Sequence, residues 1–239
     1  MKMQDKIEVL NGGYVRLVDH MGNDLSIVRS ARVSYDADWR EPEGDEAIGK
    51  DAKLIHYLMK NHHTSPFESV TFTFEVKAPI FVFRQWHRHR TWSYNEVSAR
   101  YTELDMGYYV PEVEQITTQS SSNKQMRTNE QHPFAEMARI MIDTQCNAAF
   151  VAYKGMIDRG IPRELARGVL PVNSYSKMFA TVNLHNLLNN FIVLRDHDHA
   201  QYEVRVYAQA MKQLITPIVP ITIEAFDDSR KYQEFSSSK

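Results

Sequence analysis

The sequence predicts an α+β fold: a β-sheet with flanking helices and a mostly helical second half. Three observations carry this reading. Val70, Phe72, Phe74 and Val76 alternate with Thr71, Thr73, Glu75 and Lys77, the period-two signature of a strand. Pro133 opens a long stretch with apolar residues at helical spacing. No repeat, Gly/Ser run or Pro-rich linker separates the two.

Taken in order, Asn23 or Asp24 can cap a helix through Leu25, Val28, Ala31 and Arg32. A second helix is expected over Glu46–Lys60, with Ile48, Ala52, Ile55 and Leu58 or Met59 on its apolar side. After the strand, Pro79 suits the first turn of a helix over Ile80–Arg88. Gln115–His132 is rich in Ser, Thr, Asn and Gln without apolar periodicity, and reads as a polar surface loop. The long helix then carries a stripe of Phe134, Met137, Met141, Ala148, Val151 or Ala152, and Met156, and ends at Gly160. A short helix starts at Pro162 and stops near Leu170-Pro171. Two more are expected over Leu184–Leu194 and His199–Leu214, and 236–239 reads as a frayed tail.

Composition narrows the class of function. The chain has 239 residues, 43% apolar and 24% charged, which excludes a disordered chain, a collagen-like repeat and a disulfide miniprotein. The formal net charge of −2 gives no whole-surface attraction for nucleic acid or anionic lipid. No apolar run approaches the ~20 residues of a membrane span, and Met-Lys-Met-Gln-Asp-Lys is not a signal peptide. The lone cysteine, Cys146, fits a reducing compartment, so a cytoplasmic location is expected, with neither a membrane nor nucleic acid as partner. Cys146 has no basic neighbour one helical turn away, and reads as a packing residue.

The chemistry concentrates in one place. Arg84, Arg88, Arg90 and Arg100 fall close together with His87 and His89, interleaved with Trp86, Trp92, Ser93, Asn95, Glu96 and Ser98. Arginine captures phosphate bidentately, tryptophan offers a face for a ring, and the polar side chains can read a heterocycle's edge. That composition suits a nucleotide pocket; it also suits a solvated basic helix end. In Asn61–Glu68, Thr64 or Ser65 before Pro66 either binds a phosphate or shapes a turn. Arg195-Asp-His-Asp-His199 looks like a metal tract, but adjacent helical residues point apart. A helix break with Asp196 or Asp198 capping the next helix is the plainer reading, and no metal is expected. The nine glycines contain no G-x-G-x-x-G, no Walker A loop and no G-x-S-x-G, so side chains would have to hold any dinucleotide.

Several spaced blocks carry a family resemblance. They are Arg88-His89-Arg90 followed after seven residues by Ser98, Met21-Gly-Asn-Asp-Leu-Ser, Ser30-Ala-Arg-Val-Ser34, and Ser65-Pro-Phe-Glu68. Further along come Ala78 to Trp86, Ser93 to Tyr101, Pro162 to Arg167, Thr181-Val-Asn183, Leu194-Arg195 and His199-Ala-Gln-Tyr-Glu203. Together they resemble the flavin-dependent thymidylate synthases, the ThyX family, over most of the chain. The resemblance implies one ThyX-like domain over 1–235, an FAD-dependent methyltransferase that makes dTMP from dUMP, methylenetetrahydrofolate as carbon donor and NADPH as reductant. It also implies a homotetramer whose sites are shared between subunits.

Carried over by position, Gln85, Trp86, His87, Arg88, Glu96, Val97, Ser98, Ala99, Arg100, Arg167 and Arg195 resemble the family's dUMP contacts. Ser65, Arg88, His89, Arg90, Glu96, Asn183, His185 and Asn189 resemble its FAD contacts. The family's chemistry activates uracil by hydride from reduced flavin to C6. Arg195 then has the catalytic role of stabilising charge on the N3/O4 side, an effect worth ~3 kcal/mol, and Ser98, which has no general-base neighbour, positions the substrate. His185 stands where many members have Arg. The run Leu187–Phe191 is one residue longer than the family's spacing to Arg195. An inserted residue turns a helix by ~100°, so the segment must adjust locally, and either Asn189 or Asn190 can be the ligand.

Competing readings are a metal-dependent nucleotide phosphohydrolase built on His62, His63, His197 and Asp198, and a nucleic-acid module using residues 84–100. A nearer variant has the same fold and transfers hydroxymethyl or accepts another pyrimidine nucleotide.

Overall fold

A computed structural model describes residues 6–34, 36, 44–104 and 107–237. In chain order it contains β1 (Lys6–Val9), β2 (Gly13–Met21), α1 (Asp24–Val33), α2 (Gly44–Lys60), β3 (Thr71–Pro79), α3 (Ile80–Trp86) and β4 (Ser93–Glu96). There follow β5 (Thr117–Gln119), β6 (Arg127–Gln131), α4 (Ala135–Ile157), α5 (Arg163–Ala166), β7 (Tyr175–Asn183), α6 (Val193–Arg195), α7 (Tyr202–Ile215) and α8 (Pro220–Ser237).

Five strands form an antiparallel sheet in the order β1-β2-β3-β7-β4. The expected strand is its centre: Val70, Phe72, Phe74 and Val76 are all fully buried. On its outer face Glu75 joins the neighbouring strand, accepting from Tyr14 Oη at 2.5 Å and pairing with Arg16 at 2.7 Å. β7 runs alongside β3 over its whole length, Thr71 opposite Asn183 and Pro79 opposite Tyr175. Ser176, Met178, Ala180 and Val182 form its buried face and Phe179 is exposed on the other; a polar residue inward and an aromatic one outward blur the alternation in sequence. Helix α7 crosses β1 and β2. Its Tyr207 donates to the Lys77 carbonyl at 2.8 Å, and a Cβ on Gly13 would lie 2.1 Å from that hydroxyl, so only glycine fits there.

Helix α1 starts as expected: Asn23 accepts from the Leu25 amide at 3.0 Å and closes a capping box with Ser26. Asp24 instead caps a distant helix. Its carboxylate accepts from the amides of Ile221 (2.9 Å) and Thr222 (3.1 Å) and from the Thr222 hydroxyl (2.6 Å), near the start of α8.

Several expectations need correction. Ile48 is exposed, and α2 buries Asp51, Ile55, Leu58 and Met59, with Asp51 paired to Arg32. Helix α3 ends at Trp86, two residues before the expected Arg88. The polar segment 115–132 lies at the surface but folds as a hairpin of β5 and β6, not as an irregular loop. The helix expected over His199–Leu214 is α7, which starts at Tyr202, and neither Asp196 nor Asp198 caps it. Asp196 accepts from Gln209 and lies 3.6 Å from Arg230, which also donates to its carbonyl. Ser236 and Ser237 complete α8, and 238–239 lie outside the described residues.

Helix α4 departs furthest. Its buried residues are Ala135, Cys146 and Tyr153, while the expected stripe faces outward: Phe134, Met137, Met141 and Val151 are exposed, Val151 by 65%. Cys146 is buried, and burial pushes its thiol pKa up, as expected for a packing residue. Among the described residues no helix is long and apolar enough to cross a membrane.

Candidate active site

The basic run falls where α3 returns along the sheet toward β4. Val97 donates its amide to the Lys177 carbonyl at 2.9 Å, which carries the β4–β7 pairing into the following loop. Between that loop, α3 and the turn after α5 lies a cavity of about 450 Å³. Of the expected nucleotide contacts, His87, Glu96, Val97, Ser98, Ala99 and Arg167 line it. Arg84 and Ser176 also line it, with Ile80, Phe83, Leu104 and Leu170 as its apolar walls; Arg84 belongs to the basic run, whereas Ser176 carries no chemical signal in sequence.

The cavity is built to receive an anion and a polar ring edge. Arg84 and Arg167 reach it with exposed side chains that have no carboxylate partner among the described residues. His87 Nε2 is buried with no hydrogen-bond partner among them. Ser98 Oγ accepts from the Arg100 amide at 3.3 Å, and among the described residues no basic side chain hydrogen-bonds to it. Arg88 and Arg90 are likewise exposed and without a carboxylate partner among the described residues, whereas Arg100 lies against the Tyr101 ring at 5.9 Å.

The remaining expected residues form a second group, outside the walls of that cavity. Arg195 donates Nε–H to His89 Nε2 at 3.0 Å, and its Nη2 lies 3.5 Å from the Gln85 carbonyl. Burial lowers the pKa of Arg195; burial and the neighbouring guanidinium both lower that of His89. Trp86 and Trp92, expected to offer faces to a ligand, are instead buried in the core. Trp86 stacks on Phe191 at 4.6 Å and meets Trp92 edge-on at 5.7 Å, which removes both rings from any ligand's reach.

The expected flavin contacts gather at one end of the β3–β7 pair. Ser65 opens the 3₁₀ turn that leads into β3, and Leu184, just after β7, bonds the Val70 carbonyl at 2.8 Å. Ser93 pairs with Thr181, bringing the chain that follows Arg88–Arg90 to the same end. Asn183 accepts from both the amide and the side chain of Asn186 at 2.9 Å, so its carbonyl oxygen serves as a cap.

His62, His63, His197 and Asp198 do not converge: among the described residues no three His, Cys, Asp or Glu side chains are grouped as a metal site requires.

The comparisons with known proteins agree with this arrangement. Residues 16–221 match the family model described as "Thymidylate synthase complementing protein". A flavin-dependent thymidylate synthase of Treponema denticola is 44% identical over 96% of this chain and 84% of its own. One from Thermus thermophilus is 45% identical over 93% and 78%. A UMP/dUMP methylase, PolB of Streptomyces cacaoi, solved with 5-Br dUMP, superposes with a TM-score of 0.80 at 33% identity, covering 93% of this chain and 97% of that one. The chain belongs to the flavin-dependent thymidylate synthase family.

The segment leading to Arg195 makes a local adjustment. Asn186–Ile192 is a π-helix, not the expected α-helix, and α6 resumes at Val193. A π turn absorbs one additional residue and leaves the flanking turns in register. Asn189 donates to His185 Nδ1 at 3.1 Å, while the amide of Asn190 is taken up by Asn186 at 2.6 Å. Of the two asparagines, Asn189 is therefore the one on the face of His185.

Proposed function

We propose that the protein methylates dUMP at uracil C5 to give dTMP, with FAD as cofactor, methylenetetrahydrofolate as carbon donor and NADPH as reductant. The observation that carries this reading is the cavity of Ser98, Glu96 and Arg167, bordered by unpaired guanidinium groups, in a chain of this family. The solved relative PolB holds a brominated dUMP, which supports the nucleotide class.

The donor set fits both anions. Arg167 and Arg100 would hold the nucleotide phosphate, with Glu96, Val97, Ser98 and Ala99 shaping the pocket around the sugar and His87 offering its unpartnered Nε2. Ser65, Arg88, Arg90, Asn183, His185 and Asn189, with His89 and Glu96 at the border, would hold the FAD. Bound flavin supplies the hydride that makes uracil C5 reactive from C6. Arg195, held through Nε and Nη2, has Nη1 to stabilise charge gathering on the uracil N3/O4 side.

Arg195 and Gln85 stand outside the cavity that Ser98 and Arg167 line. We take the second group to serve the site of another copy, in the homotetramer with shared sites that the family resemblance implies; the outward apolar face of α4 is a surface available for that association.

The test is the visible absorption spectrum of the purified protein before and after adding dUMP. A flavin spectrum that shifts on addition is expected. Protein that stays colourless after incubation with FAD would overturn the reading. Mass spectrometry of the product separates methyl from hydroxymethyl transfer, and running UMP beside dUMP tests the acceptor range that PolB's description raises.

A further inference from the structure

The β5–β6 hairpin has no counterpart in the motifs that carry the family resemblance, yet a continuous chain of hydrogen bonds leads from it to Gln85. Arg127, on β6, donates Nη2–H to Glu203 Oε2 at 2.8 Å and Nη1–H to the Gln115 carbonyl at 2.8 Å. Glu203 is buried at the start of α7, and its other oxygen accepts from Tyr109 at 3.2 Å. Gln201 donates to Glu203 Oε2 at 2.9 Å, and Gln85 Nε2 donates to Gln201 Oε1. The Gln85 carbonyl, at the same residue, faces Arg195.

The direction of every bond in this chain is forced. An ionised carboxylate only accepts, so Gln201 must turn its NH₂ toward Glu203. Its oxygen then faces Gln85, which must answer with its own NH₂. The Gln85 amide oxygen is the end left over. Buried networks of this kind hold one orientation because reversing any member leaves two like groups facing each other. Arg127 places an opposite charge against the buried Glu203 carboxylate and offsets the cost of its burial.

We infer that Arg127 and Glu203, acting through Gln201, are positioning residues that set the Gln85 amide with its oxygen presented to a hydrogen-bond donor of the bound nucleotide. That donor is either the uracil imide N–H or the sugar hydroxyl. The inference rests on the proposed nucleotide-binding reading, and it gives the hairpin a role: it is the strut at the far end of a three-side-chain relay.

The experiment titrates dUMP into the flavin-loaded protein and follows the flavin spectrum for wild type, Arg127→Met, Arg127→Lys, Gln85→Ala and the double variant Arg127→Met/Gln85→Ala. Arg127→Met should weaken dUMP by about tenfold, the scale of one hydrogen bond, with flavin still bound; its melting temperature falls because the buried Glu203 carboxylate loses its partner, so the titration is run well below it. Arg127→Lys, which retains the charge beside Glu203, should recover most of the affinity. In the Gln85→Ala background the Arg127 change should add nothing, the mark of a route through Gln85. A wild type that shifts with dUMP beside an Arg127→Met protein of equal affinity overturns the inference, as does full additivity in the double variant. A wild type with no response to dUMP overturns instead the reading on which it rests. Repeating the titration with 2′,3′-dideoxyuridine monophosphate tells the two donors apart: the Arg127 effect disappears if the sugar hydroxyl is the partner and persists if it is the imide.

Discussion

Arg195 and His89, 106 residues apart in the chain, are joined by a 3.0 Å hydrogen bond in which the guanidinium donates Nε–H to the imidazole Nε2. An accepting Nε2 means that the ring is neutral and carries its proton on Nδ1. The backbone of Asn190, in the π segment, also bonds the ring and favours its protonated form, but burial and the Arg195 charge outweigh it.

The pH dependence follows from that balance. His89 in the folded protein binds its proton less tightly than in the unfolded chain, so below about pH 6.5 the unfolded state takes up more protons. The stability tied to this group is complete above that value and is lost as pH falls through the lowered pKa. Urea midpoints measured between pH 7.5 and 5 should therefore decline in wild type. The decline should be shallower in His89→Gln, whose amide oxygen still accepts from Arg195.

Arg195→Ala and Ser98→Ala should differ by orders of magnitude. Removing the guanidinium should lower turnover by ~100-fold or more while flavin stays bound. Ser98, whose hydroxyl accepts only a backbone amide, should cost ~10-fold or less when replaced. Single-turnover rates and flavin absorbance on the same samples check both; loss of flavin from Arg195→Ala would move that residue into the cofactor's contacts.

Phe191 lies at the centre of the aromatic cluster, 4.6 Å from Trp86, 5.1 Å from Trp92 and 5.0 Å from His89. Phe191→Ala should destabilise the protein by ~3–5 kcal/mol and change the tryptophan fluorescence. Because the ring also packs against His89, the same variant should lose dUMP turnover at temperatures where it is still folded.

Asp24→Ala removes one carboxylate and strands three donors, one of them the buried Thr222 hydroxyl. A loss of ~1–3 kcal/mol is expected by urea unfolding. Burial raises the Asp24 pKa against the pull of those hydrogen bonds, so Asp24→Asn should cost less than Asp24→Ala.

Met141, 58% exposed on the outer face of α4, tests the association. Met141→Glu should shift the sedimentation profile to smaller species and lower dUMP turnover in parallel. A variant that dissociates with activity intact would show that each site is complete in one chain.

What the sequence made legible was local or motif-bound. The β3 alternation, the Asn23 cap and the cavity residues of the Arg88–Arg100 region all sit where short-range pattern puts them. The misses have long-range causes. β7 is hidden because its residue types do not match its regular in-out register: Ser176 faces inward, where it lines the cavity, and Phe179 faces outward. The stripe on α4 was a correct helical signal attached to the wrong inference, since apolar spacing does not say whether the core or another copy covers it. The π-helix at Asn186–Ile192 carries no local signal that separates it from the α-helix expected there. Nothing in the local pattern of Arg127 or Glu203 announces a partner reached only once both segments are folded.

The bond between Asp24 and Thr222 spans 198 positions, and the central β3–β7 pairing closes a loop across much of the chain. A ribosome making this protein therefore releases an N-terminal portion that cannot finish folding on its own. The sheet lacks its inner strand until β7 emerges, and α1 waits longer still for the helix it caps. Folding of this kind is slow and waits on the emergence of α8. Until then the apolar edge of β3 is open to chaperones and to other nascent chains, so premature termination before α8 should produce aggregation-prone fragments in place of partly active enzyme.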